Sequence, residues 1–170
     1  AQVVAKSAPD GYTLLNAGDG IAAAPHLIAK LGFDPFKDLA PVTQLVRQPI
    51  VLAVHSSLGI NTLAEFVAYA RKNPGLAYAT SGAGNPQHYV GEWFANVAGI
   101  SLTHIPYKGG GQAITDFVGG QVKVAVLGST PLIPHARAGK VKLLAQSLHQ
   151  RTSAISDVPT FEEAGYKVVL

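Results

Sequence analysis

The sequence predicts an α/β fold of two lobes, with helices packed on a parallel sheet. From Leu76 onward, short β-rich runs alternate with helix-like segments, the pattern of a parallel sheet covered by helices. The strand-like runs are short and nearly wholly apolar, as expected of strands covered on both faces. Of the 170 residues 48% are hydrophobic and 14% charged, enough apolar material for the core of one domain or two small lobes.

The elements follow in order. Residues 12–15 read as a strand, 21–29 as a short helix, and 39–54 as a long β-rich stretch broken at Pro49. Thr62 and Glu65 have the spacing of a capping box, predicting a helix to about Lys72 that ends at Asn73, Pro74 and Gly75. Leu63, Phe66, Val67 and Ala70 then share one face of that helix as a packing stripe. Strands follow at 77–80, 102–105, 122–127 and 141–146, with helices at 87–97, 112–118 and 131–138. The crossing between lobes is placed at Gln48 and Pro49 and the return within 148–152, so residues 1–47 and 150–170 form the first lobe and 48–149 the second.

Bulk properties exclude several functional classes. The formal charge is +3, and the 13 Lys and Arg residues are dispersed, without a stripe that could follow a phosphate backbone, so nucleic acid is not an expected partner. Gly, Pro or a charge interrupts every apolar run before it could span a bilayer, so no direct membrane insertion is expected. Cys is absent, which rules out a disulfide framework and a cysteine-based zinc site and suits an oxidising compartment. The six His residues lack the His-x-x-x-His spacing of a metal site on a helix, and no metal or other cofactor is implied. The chain opens on Ala1, contains no Met, and stops on the apolar residues Val168, Val169 and Leu170; truncation at both ends is the expectation.

Three loops leave strands and enter helices at the carboxyl ends of the predicted parallel strands, where ligands of open α/β sheets bind. The first contains Thr80, Ser81, Gly82, Ala83, Gly84, Asn85, Pro86, Gln87 and His88. Its glycines permit close backbone approach, Pro86 suits the first turn of a helix, and free N–H groups there attract an anion. Ser81, Asn85 and Gln87 add side-chain donors, and His88 stands where it could touch the anion. The competing interpretation is an ordinary tight turn before a capped helix.

The second loop is Pro106, Tyr107, Lys108, Gly109, Gly110 and Gly111. Three glycines in a row cost chain entropy unless the backbone needs unusual angles or close approach. Lys108 precedes the glycines, which is the wrong order for a nucleotide-binding P-loop, so a phosphate-sized or carboxylate-sized anion is the expectation. Tyr107 is equally a packing residue. In the third loop, Ser129 and Thr130 can cap the next helix or donate to a ligand. Upstream, Gly18 and Asp19 follow the strand at 12–15 in the same way, with Asp19 also suited to capping the next helix.

No catalytic residues are assigned. Glu162 and Glu163 read as first-turn partners of a late helix capped by Thr160, not as an acid/base pair. Ser81 with His88 is the one pairing suited to a nucleophile and base, although the Gly-x-Ser-x-Gly turn is missing, so a serine-dependent acyl-transfer enzyme stands as the lesser alternative.

Several segments together resemble a known family. Asp10-Gly11-Tyr12-Thr13-Leu14-Leu15, Phe36-Lys37-Asp38-Leu39-Ala40-Pro41-Val42, the loop from Ser81 to His88, Pro106-Tyr107-Lys108-Gly109-Gly110, and Asp157-Val158-Pro159-Thr160 with Glu163-Ala164-Gly165 are similar to the Bug family. These TctC-like proteins are the periplasmic solute receptors of tripartite tricarboxylate transporters. The resemblance spans essentially the whole chain in order. It implies a type II periplasmic binding fold with an incomplete first lobe, and a small carboxylate ligand: a dicarboxylate, a tricarboxylate, an aromatic acid or an amino acid. It also implies delivery to a membrane permease. The family's carboxylate loop corresponds to Ser81 through His88, with neighbouring contacts at Tyr107 to Gly110 and at Ser129 and Thr130, and a first-lobe loop at Asn16 to Gly20. A further glycine-rich loop of the family would lie upstream of Ala1, so this chain by itself is expected to bind weakly or not at all. The effector-sensing domain of a transcriptional regulator is the alternative of the same fold class.

Overall fold

A computed structural model describes residues 1–18 and 20–170, and the chain divides into two units, Ala1–Arg47 and Gln48–Leu170. The first unit contains two helices, α1 (Gln2–Ala5) and α2 (Gly20–Leu27). Among its described residues no strand forms. The predicted strand at 12–15 is irregular, with Tyr12 and Leu14 exposed, and the β-rich stretch from 39 becomes a strand only at Ile50. Apolar and β-branched residues favour a strand only where a neighbouring strand supplies hydrogen bonds and a face to pack on. Among the described residues of 1–47 neither is present.

The second unit is built on five strands: β1 (Ile50–His55), β2 (Leu76–Thr80), β3 (Leu102–Pro106), β4 (Val124–Gly128) and β5 (Val141–Gln146), in the spatial order β3-β2-β4-β1-β5. β2 runs parallel to β3 and β4, whereas β1 is antiparallel to both β4 and β5. The four strands expected from Leu76 onward, β2 to β5, thus run the same way, and β1, from the upstream β-rich stretch, is the one reversed member that makes the sheet mixed. Five of the six β1 residues are buried, and a strand covered on both faces has no polar side to betray its direction or its neighbours.

Alternation along the strands divides the core into two layers. Ile50, Leu52, Val54, Val124 and Val126 face a cluster with Phe66, Val90, Phe94 and Phe161, while Val51, Ala53, Ala125 and Leu127 face Ala113, Phe117 and Leu132. The first layer is covered by α3 (Leu63–Lys72) and α4 (Pro86–Ala98), the second by α5 (Gly110–Val118) and α6 (Ile133–Arg137).

Helix α3 forms as its sequence predicts. Thr62 Oγ1 accepts from the Glu65 N–H at 3.2 Å, and the Glu65 carboxylate accepts from the Thr62 N–H at 3.3 Å. Leu63, Phe66, Val67 and Ala70 are all buried. Burying each of the larger side chains contributes about 1.5–3 kcal/mol relative to exposure. α4 begins on Asn85, whose side chain accepts from the His88 N–H, and ends at Gly99 in the left-handed region. The predicted helix at 131–138 is shorter and starts as a 3-10 turn at Thr130–Leu132.

The predicted return of 150–170 to the first lobe is not seen. Ile155, Val158, Phe161 and Val168 are buried in the two core layers of the second unit. Gln146, fully buried at the end of β5, donates from Nε2 to the Ile155 and Val158 carbonyls and accepts through Oε1 from the Thr152 N–H. This clamp and the burial beside it hold the segment to the sheet. The late helix expected after Thr160 is a run of turns: the reciprocal Thr160 and Glu163 cap is present, but α-helical hydrogen bonding is not sustained.

Candidate functional site

Because β2, β3 and β4 run the same way, their carboxyl ends lie on one edge of the sheet, and the three predicted loops leave from there. β1 is reversed, so its start lies on that edge too, with Ile50 opposite Gly128. Gln48 and Pro49 thereby join the cluster.

The first loop is held by its own polar side chains. Ser81 Oγ accepts from Asn85 Nδ2 at 2.9 Å and donates to Gln87 Oε1 at 3.1 Å, and Asn85 Oδ1 caps α4 through the His88 N–H at 3.0 Å. Gly82 at φ +152° and Gly84 at φ +71° take conformations that a side chain would disfavour. Among the described residues, the Ala83 and Gln87 N–H groups and the Gln87 side-chain NH2 have no acceptor within the chain. His88 is half-buried, and its Nδ1 accepts from the Gly84 N–H at 3.2 Å.

The second loop packs against the first. The Tyr107 N–H donates to the Thr80 carbonyl at 3.1 Å, the Gly109 N–H to the Ser81 carbonyl at 3.1 Å, and a Cβ on Gly82 would stand 3.6 Å from the Tyr107 carbonyl oxygen. Gly109, at φ +114°, begins α5 with no side-chain cap, so the first turn presents N–H groups with no such acceptor. Lys108 is exposed beside it. Tyr107 is committed inward: its hydroxyl donates to Asp116 Oδ2 at 3.0 Å, and burial, followed by Asp116, raises its pKa above the ordinary phenol range.

The third loop closes on the crossing segment. The Ser129 N–H donates to the Pro49 carbonyl at 3.0 Å, and Thr130 Oγ1 donates to Gln48 Oε1 at 2.7 Å. Ser129 is buried and Thr130 exposed, and neither caps the next turn with its side chain. In the first unit, Gly18 is exposed and its carbonyl accepts from the Ile21 N–H at 3.1 Å; Asp19 lies outside the described residues.

Ser81 and His88 do not form the nucleophile and base pair that an acyl-transfer enzyme would need, since each is bonded elsewhere within the loop. Three residues at this edge fall outside the expected contact residues: Gln48, Thr80 and His104. Thr80 is fully buried, and its hydroxyl meets Gly82 and His104 Nε2. His104 sits opposite Tyr78 on the neighbouring strand, a register that becomes visible only once β2 and β3 pair.

The chain matches the family described as tripartite tricarboxylate transporter family receptor over residues 1–170. It is 39% identical over 165 residues to a UPF0065 protein of Bordetella bronchiseptica, an alignment covering 96% of this chain and 49% of that protein. The chain thus spans about half the length of the curated relatives it matches. Among solved structures it superposes on Rpa4515 of R. palustris with adipate at a TM-score of 0.88 and 33% identity, covering 99% of this chain and 57% of that one. On MatC (Rpa3494) of Rhodopseudomonas palustris with bound malate the values are 0.81 and 32%, covering 97% and 57%. On the periplasmic binding protein BugD they are 0.86 and 31%, covering 98% and 56%. The fold is that of TctC and Bug periplasmic binding proteins, and no helix among the described residues is long and apolar enough to cross a membrane. The match over the whole of residues 1–170 places this chain in the tripartite tricarboxylate transporter receptor family.

Proposed function

We propose that this chain is part of an extracytoplasmic receptor that binds a small carboxylate and presents it to the permease of a tripartite tricarboxylate transporter, without chemistry on the ligand. The observation that carries the reading is the convergence of the α4 and α5 starts on one sheet edge, with loop N–H groups and the Gln87 amide unoccupied by protein acceptors among the described residues. Such an array neutralises a carboxylate without a buried counter-charge, and it discriminates little between acids, which leaves the choice of ligand to the rest of the cleft. In this reading Ser81 to Gly84, Asn85, Gln87 and His88 form the carboxylate loop, Lys108 and Gly109 flank it, and Tyr107 and Ser129 fix its walls. Thr130, Gly18 and Asp19 are further contact candidates. Adipate and malate, the acids in two related structures, favour a dicarboxylate.

Thermal unfolding of the full-length gene product with a panel of organic acids tests this. A bound dicarboxylate raises the midpoint, by roughly 2.7 kcal/mol of stability at one hundred times its Kd, and the corresponding diamide does not. No shift with any acid, or an equal shift with the diamide, would overturn the reading.

A further inference from the structure

The first loop rests on groups that its own composition does not reveal. The Thr80 hydroxyl donates to the Gly82 carbonyl at 2.9 Å, accepts from the Gly82 N–H at 3.2 Å and meets His104 Nε2 at 2.7 Å. A hydroxyl has one proton and two acceptor sites. With that proton on Gly82, Nε2 must be the donor, so one His104 tautomer satisfies all three contacts. The His104 ring also stacks on His88, with centroids 3.9 Å apart and planes inclined by 16°, and His88 Nδ1 accepts from the Gly84 N–H at 3.2 Å. Each imidazole thus holds one loop glycine: His104 holds Gly82 through Thr80, and His88 holds Gly84 directly.

We propose that His104 is a positioning residue for the anion loop, holding Gly82 through Thr80 and seating His88 against Gly84 by stacking, and that protonation of the stacked pair releases the loop from its binding geometry. What the loop binds rests on the carboxylate-receptor reading; that it is held in this way does not. With Nδ1 of His88 accepting from Gly84, a further proton must enter at Nδ1, which turns an acceptor into a donor facing another donor. A second charge on the partner ring then meets a like charge at stacking distance. Among the described residues, the groups facing the pair are Glu92 of α4, whose Oε1 is 4.0 Å from His88 Nε2, Tyr89 of α4, whose ring centroid is 6.3 Å from that of His88, and Tyr78 of β2, whose ring centroid is 5.2 Å from that of His104 and whose hydroxyl donates to Glu92 at 2.6 Å. Burial, and then His88, keep His104 below the ordinary imidazole range, with Glu92 opposing them.

The test is an NMR titration of the 15N-labelled full-length protein without ligand between about pH 8 and about pH 5, where imidazoles change charge. The Gly82 and Gly84 amide resonances are expected to titrate with the midpoints of the two imidazoles. His104→Gln keeps an N–H donor near the position of Nε2 but cannot titrate, so the Gly82 response should vanish while Gly84 still follows His88. Thr80→Val, a shape match without the hydroxyl, should exchange its Gly82 amide hydrogen about tenfold faster, the loss expected for one hydrogen bond. Gly82 and Gly84 amides that stay flat in the wild type, or a Gly82 response unchanged in His104→Gln, would overturn the proposal.

A second arm adds adipate. Its affinity should weaken about tenfold or more from about pH 7.5 to about pH 5, and by less in His104→Gln; equal weakening in both proteins would overturn the coupling. If neither adipate nor any other acid of the panel binds at either pH while the amides titrate as described, the positioning role stands and the dicarboxylate reading fails.

Discussion

Gly91 lies flat against the ring of Tyr78: a Cβ at position 91 would come within 2.5 Å of Tyr78 Cε2 and 2.8 Å of Cζ. Tyr78 is fully buried in β2, so the ring has no open space to retreat into, and the missing Cβ is what lets α4 sit close on the sheet. The contact also seats Tyr78 for its hydrogen bond to Glu92.

Gly91→Ala is therefore expected to destabilise the protein despite the better helix propensity of Ala, by about 1–3 kcal/mol, the usual range for overpacking a filled core. Urea denaturation of the variant beside the wild type measures it. A variant as stable as the wild type would show that α4 can shift outward at no cost.

Gln146 supports a second prediction. Its side chain is fully buried and saturates four groups of the 152–158 segment: the Ile155 and Val158 carbonyls, and the N–H and hydroxyl of Thr152. Gln146→Leu keeps the volume but strands these groups out of water, for a loss of roughly 2–4 kcal/mol. Limited proteolysis should show earlier cleavage within 148–160 in the variant. An unchanged cleavage pattern would mean that apolar burial of Ile155, Val158 and Phe161 alone holds the segment.

The third prediction concerns pH. Burial and His88 depress the native pKa of His104, so between that value and the ordinary imidazole pKa near 6.5 the unfolded chain binds the proton more readily than the folded one. The stability contribution is thus fully present above the ordinary value and is lost as pH falls through the depressed one. Equilibrium unfolding from about pH 7.5 to about pH 5 should fall less steeply in His104→Gln than in the wild type. Parallel curves would show that other groups carry the acid sensitivity.

Much of the second unit was legible because its signals are local. The Thr62 and Glu65 box, Pro86 at the first turn of α4, and the apolar runs at 77–80 and 141–146 each act over a few residues, and the structure places an element at every one of them. The three glycine-bearing loops were legible for the same reason, since their phrasing between strand and helix puts them on one edge of a sheet of co-directional strands. His104 was not, because its partners Thr80 and His88 lie on β2 and α4, and only the parallel register of β2 and β3 brings them together.

The sequence by itself determined which stretches of the second unit become strands and helices, where the loops fall, and the family to which the chain is similar, because caps, turns and apolar runs are written in neighbouring residues. Tertiary structure alone decided that β1 runs against β4 and β5, that 12–15 is not a strand, and that 150–170 stays with the second sheet. It also decided which side chains hold the first loop from beneath. Each of these depends on partners far along the chain, whose hydrogen bonds and buried surface override the preferences of any short segment.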